Sequence, residues 1–202
     1  MGRSVQVTAE LSRNSQKNNS EESFQALNVH SGDSSRLVVL HGDVNESSIS
    51  MVVAQLLHLA SQNHKPIHLV ISTYGGSVDE MFTLYDTIKF LPCPIHTIAL
   101  GKVMSAGVLL LASGAKGHRM IGKSARIMIH PVSGGAVGNI FEVINDTKEQ
   151  KRLQDQMVDA IVKETKTSKL KIETIMKTGH DVYLLPDEAI KLGIVDKIIG
   201  ED

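Results

Sequence analysis

Several side chains of the types used in acyl transfer stand at the ends of apolar segments. Ser105 lies in Gly101-Lys-Val-Met-Ser-Ala-Gly107, after a strand-like run and at the start of an apolar helical run. Backbone N–H groups at a helix start are unpaired and favour a developing anion, so a hydroxyl nucleophile there would have stabilising donors beside it. The same place suits a helix-capping serine, which is the commoner use of an isolated Ser. The segment also fails Gly-x-Ser-x-Gly, because Val103 stands where the first glycine would be, and this disfavours an α/β-hydrolase.

His130 closes the apolar run Arg126-Ile-Met-Ile-His130, just before the loop Pro131 to Gly138, so its ring can leave a sheet and enter a cleft as a general base. A structural histidine satisfied by a backbone partner is the alternative, and the same holds for His180. Asp181 follows Gly179-His180 and precedes Val-Tyr-Leu-Leu-Pro, a loop from which a carboxylate could orient a histidine ring; simple surface solvation is its other reading. Gly75-Gly76-Ser77 follows another apolar run, where missing side chains would let a backbone N–H approach a substrate carbonyl, or merely form a turn.

One motif points elsewhere. Gly117-His-Arg-Met-Ile-Gly-Lys-Ser124 satisfies the P-loop pattern Gly-x4-Gly-Lys-Ser. A phosphate loop needs a helix after its Ser, whereas Met120-Ile121 and Ala125 to His130 read as extended, so nucleotide binding is rejected. Gly134-Gly135-x-x-Gly138 lacks the dinucleotide-binding spacing, and there is no His-Glu-x-x-His or paired-Cys pattern. No metal or cofactor is expected.

The elements that must position these residues alternate. A β-branched run Arg36 to His41 leads to a helical pattern over Glu46 to Ser61, a strand over Pro66 to Ser72, and a helix over Val78 to Phe90 ended by Pro92 and Pro94. A strand over Ile95 to Leu100 then meets Gly101 and the helical run after Ser105. Such βαβαβα order predicts a parallel, right-handed α/β sheet with its functional loops at the carboxyl ends of the strands. A strand pair around His118 to Ile121 and Arg126 to His130 follows. Phe141 to Glu164 reads as one long helix, with Phe141, Leu153, Met157 and Ile161 on one face, either packing between subunits or covering its own sheet. Two short helices and a strand over Ile194 to Ile199 close the chain.

Composition limits the setting. A chain of 202 residues, 42% hydrophobic and 21% charged, can build one core-bearing domain. Its 21 Lys+Arg against 22 Asp+Glu form no basic block to follow a phosphate backbone, so nucleic acid is not an expected partner. Cys93, the single cysteine, lies between Pro92 and Pro94 and fits a reducing compartment. Met1 to Glu22 is polar, without the apolar core of a secretory signal, and no apolar run reaches membrane-spanning length; a cytoplasmic protein is expected. Residues 1–33 read as a flexible N-terminal segment and residues 34–202 as the folded domain.

Read together, Gly75-Gly-Ser-Val, Leu84-Tyr-Asp-Thr-Ile, Gly101 to Gly107, Ala112-Ser-Gly-Ala-Lys-Gly117, Met128-Ile-His130, Asp181-Val-Tyr-Leu and Gly193-Ile-Val-Asp196 resemble the proteolytic subunit of Clp protease in order and spacing, from about Leu37 to Ile199. The resemblance implies the ClpP/crotonase-like α/β fold of repeated ββα units, with Phe141 to Glu164 as a protruding handle helix. It implies a serine endopeptidase with Ser105 as nucleophile, His130 as base and Asp181 as the orienting carboxylate. Gly76 and Ala106 then supply the oxyanion-hole N–H groups, and Gly134-Gly135 a substrate-binding segment. Peptides or unfolded proteins would be the substrates, inside stacked heptameric rings, with an AAA+ Clp ATPase as a possible partner.

The sequence departs from the family at several places. Ser72-Thr73-Tyr74 replaces the usual Asn-Ser-Pro, and Pro131-Val132 the usual Gln-Pro, which bears on substrate preference. His68 and Val70 stand where aromatic residues commonly help dock the ATPase. About two extra residues lie between His130 and Asp181 relative to the family, which leaves the third position open to a substitute acid. Two rival functions follow: a noncatalytic ring-building subunit, and a crotonase-type acyl-CoA enzyme that would not need all three polar residues together.

Overall fold

The computed structural model describes residues 36–201. The expected flexible segment, residues 1–33, lies outside the described residues. Strand β1 (Leu37–His41), helix α1 (Glu46–Gln62), β2 (Ile67–Thr73), α2 (Val78–Phe90), β3 (Ile95–Met104) and α3 (Ala106–Ala112) follow in the expected alternation. β1, β2 and β3 pair in parallel, with Leu37 opposite His68 and Ile67 opposite Ile95. Their β-branched and apolar residues suit a pleated surface covered by helices. Leu40, Leu69 and Ile71 of the sheet are fully buried with Ile49 and Leu56 of α1 and Met81 and Leu84 of α2. Each such side chain stabilises the fold by about 1.5–3 kcal/mol through removal from water.

The helix starts are chemically specified. Asn45 accepts from Ser48 N–H at 3.0 Å while Ser48 Oγ accepts from Asn45 N–H at 3.1 Å, a reciprocal cap on α1. Ser77 accepts from Glu80 N–H at 3.3 Å and opens α2, with Asp79 and Glu80 facing the positive end of the helix dipole.

β3 differs from the expected strand. It does not stop at Leu100 but continues through Gly101 to Met104. Gly101 takes φ 67°, a value glycine adopts without strain, so the chain bends there instead of ending the strand. The first half of β3 pairs with β4 (Met120–Ile121), and the second half with β5 (Arg126–Ile129). The expected strand pair is therefore two strands that each pair with β3 rather than with one another. β5 follows Ser124 closely, where a phosphate-binding loop would need a helix, and this removes the P-loop reading.

The seven-stranded sheet runs β1-β2-β3-β4 to β7 (Lys197–Ile198), which is shorter than the strand expected over Ile194 to Ile199; Ile194 and Val195 instead fill the core. One pairing breaks the parallel rule. The segment after Asp181, expected as loop, forms β6 (Val182–Leu184), which pairs antiparallel with β5.

Helix α4 (Ile140–Glu164) is the expected long helix, one residue longer at its start. Asn139 caps it, accepting from Phe141 and Glu142 N–H at 3.0 and 3.1 Å, while Glu142 Oε2 accepts from Asn139 N–H at 2.7 Å. Its first buried residue is Met157. Its C-terminal end is anchored: Glu164 accepts from Tyr85 OH at 2.9 Å, pairs with Lys89 at 2.8 Å and meets Lys116 Nζ. Burial pushes the Glu164 carboxyl up, and the bonds from Lys89 and Tyr85 with the charges of Lys89 and Lys116 outweigh it and hold the group below the usual carboxylate range. Two short helices follow, α5 (Lys169–Lys177) and α6 (Pro186–Lys191). Among the described residues no helix is long and apolar enough to cross a membrane.

Candidate active site

The site forms where β2, β3 and β5 end. Thr73, the last residue of β2, uses Oγ1 to accept the Gly75 N–H at 2.9 Å. Its methyl group packs against Gly107, where any Cβ would stand 2.5 Å from Thr73 Cγ2. One side chain thus fastens the glycine loop to the start of α3. Val44 clamps the loop from the other side, with Val44 N–H donating to Gly75 O and Ser77 N–H to Val44 O, both at 2.8 Å. These bonds bypass the Gly76 N–H. A Cβ on Gly76 would lie 2.2 Å from Val44 O, so only glycine fits.

Ser105 occupies the one-residue turn between β3 and α3 with φ 53° and ψ −124°. Among the described residues it is the only non-glycine with positive φ. Such backbone costs about 1–3 kcal/mol and persists where surrounding structure enforces it. The enforcement is visible: Ser105 N–H donates to Met128 O at 2.8 Å, which extends the β3–β5 ladder through the turn. Ser105 makes no capping bond with its side chain, so the simple N-cap reading fails. With the Ser105 N–H taken by β5, the first N–H of α3, that of Ala106, is the unpaired donor next to the hydroxyl.

The strained turn aims the hydroxyl at β5. His130 follows the last residue of β5, and its Nε2 lies 2.8 Å from Ser105 Oγ. The half-buried ring can therefore accept the hydroxyl proton. Asp181 immediately precedes β6. The last pair of the β5–β6 ladder is Ile129 with Val182, so the register carries His130 and Asp181 to the next facing positions. The Asp181 carboxylate accepts from Tyr183 OH at 3.4 Å, and among the described residues no hydrogen bond joins it to His130. The structure brings Ser105 and His130 together; the exposed Asp181 faces His130 only in the register of the β5–β6 ladder. His180 is exposed, with its backbone N–H bonded to Thr178 Oγ1.

Ser105, Ala106, His130 and Gly76 line a cavity of about 40 Å³, completed by Val78, Val132, Ser133 and Met157. Gly134 and Gly135 continue the same loop beyond Ser133 without lining it. Val132 N–H donates to Gln154 Oε1 at 3.1 Å, and Gln150 of α4 reaches Gly135 O at 3.5 Å. Thr73, Val44, Gln154 and Met157 carry no signal of this role in the sequence, except that a Thr two residues before a glycine is a recognised turn former. Among the described residues no group of three or more His, Cys, Asp and Glu is arranged to hold a metal ion.

A family model described as Clp protease matches residues 19–202. The chain belongs to the Clp protease family. The mixed α/β fold, with its mostly parallel sheet and, among the described residues, six helices, is consistent with that membership. Within this Clp protease family chain, the Ser105–His130 pair lies in the matched region, as do Asp181, Gly76 and Ala106. The family assignment makes peptide-bond hydrolysis the chemistry to weigh against the geometry.

Proposed function

We propose that this Clp protease family chain is a serine endopeptidase in which Ser105 attacks a peptide carbonyl and His130 accepts the hydroxyl proton at Nε2. The 2.8 Å approach of these two side chains, held by a strained turn, is the observation that carries the proposal. As the C–O bond forms, the carbonyl oxygen takes negative charge, and the Gly76 and Ala106 N–H groups stabilise it. His130 then returns the proton to the leaving amine, and water repeats the sequence to release the acyl group from Ser105. Asp181 fills the third role once its carboxylate turns from Tyr183 to the His130 Nδ1–H, fixing the tautomer that leaves Nε2 free to accept.

The apolar side chains Val78, Val132 and Met157 at the cleft favour an apolar residue of the substrate beside the scissile bond. The family generally forms ring oligomers that work with Clp ATPases. A ring is supported here by α4, whose first turns carry Ile140 and Phe141, 66% and 74% exposed, next to Val137 at 97%. Feeding by an ATP-dependent unfoldase rests on the family alone. Unfolded proteins are accordingly the proposed natural substrates, in the cytoplasm.

A second reading, a ring-building subunit without catalysis, is favoured by the separation of Asp181 from His130. An acyl-CoA enzyme would make no use of the Ser105–His130 contact. Hydrolysis of short fluorogenic peptides separates the readings. Ser105→Ala and His130→Ala are each expected to lower turnover by at least about 10³-fold. Turnover retained in Ser105→Ala would overturn the peptidase reading.

A further inference from the structure

Two glutamines of α4 reach the loop that follows His130. Gln154 Oε1 accepts the Val132 N–H at 3.1 Å in a part-buried contact. Gln150 lies one turn earlier on the same face, with its carboxamide against Gly134, where a Cβ would stand 3.0 Å from Nε2, and with that nitrogen 3.5 Å from Gly135 O. Residues 130–136 form neither strand nor helix, so no ladder of backbone bonds holds Val132 or Gly135 in place. A half-buried backbone N–H left without a partner is unfavourable, so the acceptor at position 154 decides which way this loop turns.

We infer that Gln154 is a positioning residue: by holding the Val132 N–H toward α4 it turns the backbone N–H and C=O of Ser133 outward, where an extended peptide can pair with them beside Ser105. In an extended segment, consecutive residues direct their backbone groups to opposite sides. With Val132 turned to the helix, Ser133 presents its N–H and C=O away from it, and Ser133 and Val132 both line the cleft; the alternation ends at the glycines, where Gly135 O turns back to Gln150. The ligand class is an unfolded peptide bound by strand addition, its main chain supplying the contacts and its side chains the selectivity. Gln150 restrains the two glycines that follow, and its longer contact makes it the weaker of the two holds. The inference deepens the peptidase reading above and rests on it.

The effect on substrate separates from the effect on the nucleophile. Gln154→Leu removes the acceptor while keeping similar bulk, and Gln154→Glu keeps an acceptor oxygen. Loss of this bond is expected to raise KM for peptides of about six or more residues roughly tenfold, with a smaller change in kcat, consistent with one part-buried hydrogen bond. The rate at which a fluorophosphonate labels Ser105 is expected to change less than about twofold, since that small probe needs no strand pairing. Amide hydrogen exchange of the full chain reads the bond directly: Val132 protection is expected to be lost in Gln154→Leu while Ile127 and Ile129 stay protected. Gln154→Glu is expected to restore both the KM and the Val132 protection. An unchanged KM in Gln154→Leu, or a Gln154→Glu variant as impaired as Gln154→Leu, would overturn the inference. A drop in fluorophosphonate labelling equal to the loss of peptide turnover would also overturn it, by placing the effect on the nucleophile. If wild-type Ser105 were never labelled, the peptidase reading itself would fail and take the inference with it.

Discussion

Gly75 and Ser105 approach so closely that a methyl group on Gly75 would stand 2.6 Å from Ser105 Cβ and 2.9 Å from Met104 O. Gly75 also takes φ 102°, a conformation that L side chains rarely adopt. The strained serine turn and the glycine loop are therefore mutually fitted, each limiting where the other can lie. Gly75→Ala is expected to lower kcat/KM by at least about tenfold through displacement of Ser105, and to destabilise the fold by about 1–3 kcal/mol. Gly122→Ala is the control: its Cβ would meet Leu100 Cδ2 at 3.4 Å, an ordinary contact, and activity is expected to be retained. Peptide hydrolysis with thermal melts of both variants checks the pair.

The facing positions of His130 and Asp181 across the end of the β5–β6 ladder make a second prediction. If the carboxylate reaches His130 during turnover, Asp181→Asn lowers kcat by at least about 10²-fold, because the amide no longer stabilises the imidazolium or fixes its tautomer. Tyr183→Phe, which removes the competing donor 3.4 Å from Asp181, is expected to leave kcat the same or raise it. A full kcat in Asp181→Asn would assign the third role to another acid or to none.

Three histidines, on β2, on β3 and in the loop after α3, predict a pH effect on stability. The His96 ring stacks on His118 with centroids 4.1 Å apart and meets His68 edge-on at 5.1 Å. Burial, and then the charges that His118 and His68 would carry, push His96 from 6.5 down to about 4. The unfolded chain takes up a proton on this ring below pH 6.5 that the folded chain refuses until about pH 4. Stability therefore falls as pH drops through that window and is indifferent to this group above it. The burial-driven lowering of His68 acts in the same direction. His96→Asn is expected to flatten the slope of Tm against pH between about 6.5 and 4, and an unchanged slope would contradict the assignment.

What was legible in the sequence was the placement of chemistry at the ends of apolar runs. His130 could be singled out because it closes a strand pattern and Ser105 because it opens the helical run after one, and the fold brings strands β3 and β5 side by side so that the two residues meet. The bend of β3 was not legible: glycine reads as a strand breaker, and only the pairing of β3 with two different neighbours shows why the chain passes through Gly101. β6 was missed because Val182–Leu184 is short and bordered by turn residues, so that its strand character comes from pairing with β5 and from no periodicity of its own. Gln150 and Gln154 were invisible because glutamines among the charged residues of α4 have the composition of a solvated surface, and only the turn of the 132–135 loop toward α4 gives them partners.

The apolar start of α4 predicts assembly. Ile140 and Phe141 have no buried neighbour on their own helix for its first four turns, and burying such a surface between copies is the stabilising arrangement. Size-exclusion chromatography with light scattering is expected to give a multi-subunit mass for the wild type and a smaller one for Phe141→Asp. A wild-type monomer at micromolar concentration would contradict the ring.

The claim that Ser105 is an activated nucleophile is tested most directly by a fluorophosphonate probe whose adduct is located by mass spectrometry. The wild-type protein is expected to carry the adduct on Ser105, and His130→Ala, which removes the base 2.8 Å from the hydroxyl, is expected to carry almost none. An adduct on another serine, or equal labelling with and without His130, would contradict the account.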